Sequence, residues 1–499
     1  MNKKQGILWC ALIITLLISS GCENPLTLAE TIDRIVTLSQ VDTSMEDPIE
    51  LAASPSGPFA IYLSWTPNVP GIQTYHLQRS ADSGNIWADV SSSISDSAVN
   101  YTDSGSHLSP KSEYTYRIRA DFGSEYSNWS NDAAAVTSEN LWQHETVRSG
   151  GPFDSGKCAR CAVDNNGVLH LVFVEDEMMG RKLIYMTNTT GSFADTLIDS
   201  GYQDISFCDI TLDATGIPHF SYLTTDNMSA YTICHASYDG SVSTIEIGSA
   251  DNDQTAIAYA NGIDGGSLII GYTRADQFIR IRSTDGGQTF PDSYTHAYNG
   301  ACTSITTNSS GSQYYFSTFN EADNLLYILS DNGWDDTLLQ DESITSHAYT
   351  GGRYSDIALD PYGKMYVSCY VDSLGSGELA YMTDRDGTWN WDHPYLIDSS
   401  PDTEAIYSSI AAGLQYKSYS GDRYYYLYIS YRDTSDDSLK LATFIPSAAD
   451  GGSWSMENLS TCVGSTSIGF DRASDPDILH LVYRSDLHTL CHSWKYIVE

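Results

Sequence analysis

Basic residues are scarce in this chain: Lys and Arg total 25 against 64 Asp and Glu, a formal charge of −39 over 499 residues. A field of that sign repels phosphate backbones and anionic headgroups, so nucleic acid is excluded as a partner. Long apolar runs are scarce too. After residue 22 no stretch approaches the roughly 20 apolar residues of a membrane-spanning helix. The hydrophobic fraction, 41%, is nonetheless too high for a disordered chain and supplies cores for more than one domain. The chain is rich in Tyr (35) and Gly (38), with abundant Ser, Thr and Asp, a mix suited to short β-strands joined by tight polar turns.

Residues 1–22 read as a targeting segment, with Lys3 and Lys4 ahead of an apolar run from Ile7 to Ile18. The following Ser19-Ser20-Gly21-Cys22 resembles a bacterial lipobox, although Ser19 stands where that motif usually carries leucine. The resemblance implies cleavage before Cys22 and a lipid on its sulfur. It places the protein in the bacterial cell envelope, touching a membrane through the anchor alone. An ordinary secretory signal and an uncleaved anchor are the competing readings. Residues 23–48 form a polar linker with a short helix expected from Leu28 to Leu38. Eight further cysteines follow, an even number that permits disulfides in an exported chain without specifying pairs. The Cys158-x-x-Cys161 spacing has no second CxxC and no βαβ context, which argues against a zinc or redox site.

Residues 49–138 show period-two alternation at Ile61–Trp65, Tyr75–Arg79 and Tyr114–Ala120, the signature of half-buried strands. Leu63-Ser-Trp65 and Leu108-Ser-Pro110-Lys-Ser-Glu-Tyr114 resemble the buried-tryptophan strand and the tyrosine corner of fibronectin type III domains. That resemblance implies a β-sandwich with Trp65 in its core and the Tyr114 hydroxyl bonded to upstream backbone. Such a module serves as spacer or adhesive and brings no ligand by default.

From residue 139 to 499 a weak repeat recurs roughly every 50 residues. Its clearest element is a short strand written Leu183–Tyr185, Ile233–His235, Ile279–Ile281, Leu325–Tyr327, Leu379–Tyr381, Leu439–Leu441 and Leu490–His492. Upstream, Asp-x-x-Gly turns at Asp164, Asp213 and Asp360 read as hairpins, Asp bonding its own backbone and Gly taking positive φ. A four-stranded unit repeated in this way looks like a propeller blade. The expectation is an all-β chain: a fibronectin-like sandwich followed by a seven-bladed β-propeller. The last unit stops at its third strand, and Leu141–Val147 is expected to complete it, closing the ring without an exposed sheet edge.

Ser283-Thr-Asp285-Gly-Gly287-Gln-Thr-Phe290 fits the Asp box of sialidases and other propellers. Ser80-Ala-Asp82-Ser-Gly84-Asn-Ile-Trp87 has the same spacing inside the sandwich, which marks the box, Asp285 included, as a turn device. A sialidase would also need an arginine triad; Arg160, Arg353 and Arg472 fall near inner strands, but no motif groups them. His170, His219 and His480 share one repeat position, and His235 and His492 another. Tyr takes these slots elsewhere, which favours packing over metal ligation. Every loop between second and third strands carries an acid: Asp176, Asp226, Asp276, Asp323, Asp372, Asp433 and Asp486. On a common rim they would draw Ca2+ or cationic groups; as turn caps they would be spent on the backbone. The functional expectation is a surface lipoprotein binding an extracellular glycan or protein through that rim, without catalysis. A sialidase-like glycoside hydrolase is the alternative.

Overall fold

The computed structural model describes residues 49–497 apart from short internal stretches, the longest being 331–341 and 385–394. The leader with Cys22, the linker and its expected helix lie outside the described residues. Among the described residues every regular element is a strand, and contacts divide the chain into two compact units, Met1–Glu139 and Asn140–Glu499.

The first unit contains β1 (Ile49–Gly57), β2 (Ala60–Thr66), β3 (Thr74–Ser80), β4 (Ala88–Ser95), β5 (Asn100–Ser104), β6 (Glu113–Asp121) and β7 (Ala133–Val136). They form two sheets, ordered β1-β2-β5 and β4-β3-β6-β7. Alternation in β2 turns Ile61, Leu63 and Trp65 inward, where they meet Tyr75, Leu77, Tyr116 and Ile118 from the facing sheet. Trp65 meets Tyr75 edge-on at 5.3 Å between ring centroids. The Tyr114 hydroxyl accepts the Ser109 N–H at 2.8 Å, pinning the turn into β6.

The second unit is a series of four-stranded antiparallel sheets, seven among the described residues. Their first strands are Lys157–Val163, Asp204–Leu212, Ala256–Ala260, Ala301–Thr307, Thr350–Leu359, Ala405–Lys417 and Thr466–Asp471. These name sheets 1 to 7. Six sheets take their strands in chain order; sheet 7 takes its fourth from β8 (Gln143–Ser149), which pairs with Thr489–Tyr496. First strands of consecutive sheets pack side by side, and that of sheet 7 packs against that of sheet 1, so the series closes on itself. Each of the seven repeated tripeptide segments lies in the third strand of its sheet. The expected hairpins join first and second strands. Asp164 Oδ1 accepts the Asn166 and Val168 N–H groups at 2.8 Å each, and Gly167 has φ +77°. Asp213 and Asp360 repeat the arrangement.

Candidate functional site

Where the seven first strands converge they line a polar cavity of about 170 Å3. A β-strand presents alternate residues to one side, so each sheet contributes a residue at the same height. Most are spent on ties between sheets. Asp209 of sheet 2 accepts the Ile257 N–H of sheet 3 at 2.9 Å. Asp356 of sheet 5 accepts the Ser304 hydroxyl of sheet 4, its own Ile357 N–H, and the Ser409 hydroxyl and Ile410 N–H of sheet 6. Ser409 in turn accepts the Ile468 N–H of sheet 7, and Ser467 accepts the Cys161 N–H of sheet 1. One residue behind runs a second set of ties. The hydroxyls of Thr255, Ser355 and Thr466 donate to Ser221, Ser317 and Ser430 on the preceding sheet, and Ser408 and Ser368 share a bond of the same kind. Sequence reading missed these ties, although the serines recur at one register of the second strands.

The remaining charged residue in the cavity is Arg160, whose guanidinium donates to the Ala159 carbonyl at 3.2 Å. Burial pushes the Asp209 carboxyl up to about 6, against the lowering effects of Arg160 and of the backbone N–H groups. Arg353 stacks on Phe319 and Arg472 on Phe470, each in its own place. The structure does not gather the three arginines into a triad.

The loop acids divide. Asp176 is held by Lys157 at 2.7 Å and Arg181 at 3.0 Å. Asp433 is buried against Lys440 and caps Ser435. Asp486 accepts the His488 N–H, Asp276 donates its N–H to the Asp251 carboxylate, and Asp226 is exposed. Asp323 and the Asp372 side chain lie outside the described residues. Among the described residues no three His, Cys, Asp or Glu side chains gather where a metal ion would need them.

One run of ion pairs crosses the seam where the series closes. Arg484 of sheet 7 meets Asp154 at 3.1 Å, Asp154 meets Lys157, Lys157 meets Asp176, and Arg181 joins Asp176 to Asp204 of sheet 2. Beside it Arg148 of β8 reaches Glu175 of sheet 1 at 2.9 Å. Asp154 also accepts the Asp176 N–H on its carbonyl, while Ser155 donates its N–H to the Leu487 carbonyl. The second-to-third hairpins of sheets 1 and 7 are thereby braced side by side. Their tips carry Met178, Met179 and Leu487, which are 85%, 91% and 55% exposed.

The recurrent histidines are packing groups. His219 stacks on His235 and His480 on His492, with centroids 5.3 and 5.1 Å apart; Tyr366 and Tyr381 stack in the equivalent place of sheet 5. Burial lowers His235 to about 3, with His219 adding to the effect, and lowers His480 and His492 to about 4. All stay neutral at pH 7. Above His235 lies the Ser283–Phe290 turn. Ser283 Oγ accepts the Gly287 N–H at 2.9 Å and donates to Asp285, which accepts the Thr289 N–H. Ser80, Gly84, Asp82 and Ile86 make the same bonds in the first unit, so this is turn chemistry in both places. The seven described cysteines are free thiols, and burial raises Cys161 to about 11 and Cys369 to about 12. Neither of these two has thiolate character at neutral pH.

A second feature escaped sequence reading. On the β4-β3-β6-β7 sheet, Arg117 lies over Trp87 and Trp129, and Arg119 over Trp129 and Tyr126, at 3.8 to 4.4 Å from the ring centroids. Its signal is the run Tyr126-Ser-Asn-Trp-Ser130. Ser127 and Ser130 accept the Ala120 and Ile118 N–H groups and so hold the aromatic residues against β6.

No family model and no curated protein matches the chain. Solved structures do. A fibronectin III-like protein from Clostridium thermocellum is 25% identical over 19% of this chain and 94% of its own, with a TM-score of 0.16. A protein of unknown function from Dyadobacter fermentans is 10% identical over 72% of this chain and 99% of its own, with a TM-score of 0.42. A Hadza microbial sialidase is 12% identical over 88% of this chain and 93% of its own, with a TM-score of 0.41.

Proposed function

We propose that the chain is a bacterial surface lipoprotein, anchored through Cys22, whose second unit is a seven-bladed β-propeller that binds an extracellular protein or glycan without turning it over. The closed succession of seven four-stranded sheets supports the propeller reading. The observation that carries the binding reading is the pair of adjacent hairpin tips bearing Met178, Met179 and Leu487. Thioethers and leucine exposed on braced hairpins lose water when covered, and methionine adapts to an irregular partner surface. The charges beneath them are already paired, so the tips are held rigidly at little ordering cost on binding. The Ser283–Phe290 turn reads as an Asp box used structurally. The other reading, a sialidase-like hydrolase, draws on Asp209, whose raised carboxyl suits a general acid.

Two assays on the purified full chain separate them. A glycan and envelope-protein array should give saturable binding that Met178→Asp or Met179→Asp abolishes, while a panel of chromogenic glycosides shows no turnover. Turnover lost on changing Asp209 to Asn would replace binding by hydrolysis. For the anchor, an alkyne-tagged fatty acid fed to cells should label the protein, and Cys22→Ala should remove the label.

A further inference from the structure

The cavity between the first strands treats its polar residues unequally. Asp356 uses both carboxylate oxygens on four donors from three sheets. Ser409 and Ser467 are used by N–H groups of the next sheet, and Ser304 by Asp356. Arg160 and Asp209 differ. They sit on neighbouring sheets at the same height of the cavity wall, with opposite charge, yet they form no ion pair within 4.0 Å of each other. The guanidinium carries five N–H donors and spends one on a carbonyl next door. The Asp209 carboxylate takes the Ile257 N–H on Oδ2 and also bonds the adjacent Ile210 N–H, which leaves lone pairs for a further donor.

A partly filled donor fork and a partly filled carboxylate, held apart on a rigid frame, are complementary to a molecule carrying both charges. A cavity of about 170 Å3 has room for one, since a single water needs on the order of 10–15 Å3. Net charge selects among candidates. Asp356 is already taken up by four donors, so the open charges are Arg160 and Asp209. A free anion would meet Asp209 and the chain's −39 field, and a free cation would meet Arg160. A zwitterion meets neither objection. We propose that the cavity is a binding site for a small α-amino acid, its carboxylate on the Arg160 fork and its ammonium on Asp209. Bidentate guanidinium–carboxylate geometry supplies orientation, and the small hydroxyl-lined space restricts the side chain to a short one. The site lies apart from the hairpin tips of the proposed rim and stands or falls separately from them.

Isothermal titration of the full chain with glycine, L-alanine, acetate and methylammonium tests it. Glycine or L-alanine should bind saturably, with acetate and methylammonium each at least tenfold weaker. Arg160→Gln and Asp209→Asn should each lower the glycine affinity at least tenfold. Asp209→Asn keeps an oxygen for the Ile257 N–H, so the sheet tie survives; Met178→Asp should leave glycine binding unchanged. No saturable heat means the cavity holds water only and overturns the proposal, as does acetate binding as well as glycine. If either variant fails to fold, the comparison of the four probes on the unaltered protein decides the matter.

Discussion

Replacing Asp356 by alanine removes the most connected side chain of the inner wall. Two N–H groups, Ile357 and Ile410, and two hydroxyls, Ser304 and Ser409, lose their acceptor at once. A hydrogen bond to a charged group contributes about 1.5–3 kcal/mol where the groups it leaves are stranded from water. Here the carboxylate borders a polar cavity, and water entering the vacated space will satisfy part of the set. Counting about 1 kcal/mol for each of the three bonds to other sheets gives a loss of ~3 kcal/mol, against a typical total of about 5–15. Asparagine retains one acceptor oxygen but points an amide at a donor, so about half that loss is expected. Urea denaturation followed by tryptophan fluorescence measures both. Hydrogen exchange at Ile410 should quicken in the same order, alanine before asparagine before the unaltered protein. If Asp356→Ala shifts stability by less than about 1 kcal/mol, side-chain ties do not hold neighbouring sheets together and the account of the inner wall is wrong.

Three further outcomes are expected. Deleting residues 143–149 strips sheet 7 of its edge strand and leaves Glu175, 8% exposed, without Arg148, so the second unit should lose cooperative unfolding by calorimetry; a deletion protein melting as before would refute closure by β8. Gly287→Ala combines φ +84° with a Cβ 2.1 Å from His235, whereas Gly286→Ala combines φ +73° with empty space. Losses of ~3 and ~1 kcal/mol are expected, and equal losses in denaturation would discount the packing beneath the turn. The stacked histidines make stability depend on pH. They stay neutral in the fold down to about 4, while the unfolded chain takes protons near 6.5, so stability is full above pH 6.5 and falls towards pH 4. Asp209, raised to about 6, acts in the opposite direction with one group against several. A shift of 2.5 units is worth about 3 kcal/mol for a single histidine, and His480→Tyr should flatten the pH profile; an unchanged profile would count against buried neutral histidines.

Legibility followed the physics of each feature. Strands show because pleating forces a period of two, and Trp65 and Tyr114 stand out because large aromatic residues at those places have few other uses. The Asp-x-x-Gly turns show because positive φ restricts the residue and the Asp bonds lie within four residues. The inner wall does not show. Asp209, Asp356, Ser409 and Ser467 accept N–H groups of the next sheet from one register, while Ser304 there donates its hydroxyl to Asp356, so several residue types serve and no single letter recurs. The loop acids mislead for the converse reason. One letter recurs, yet Asp176 and Asp433 answer cations while Asp486 answers a backbone N–H, so recurrence reflects several causes.

The same asymmetry bears on where function sits in a repeated fold. Positions that close turns are constrained alike in every repeat and so carry little information about a ligand. Positions that tie sheets need only an acceptor. Arg160 departs from that pattern by placing a guanidinium where Asp209, Asp356, Ser409 and Ser467 of other sheets accept, and Asp209 lies on the next sheet. Its guanidinium donates to the adjacent Ala159 carbonyl and favours the charged Asp209 carboxylate through space instead of tying two strands by a hydrogen bond. The hairpin tips expose Met178, Met179 and Leu487 where the equivalent turn of sheet 3 carries Ala275 and Asp276. Both features are local to their sheets. Each is therefore open to a single substitution that leaves the remaining sheets to hold the fold.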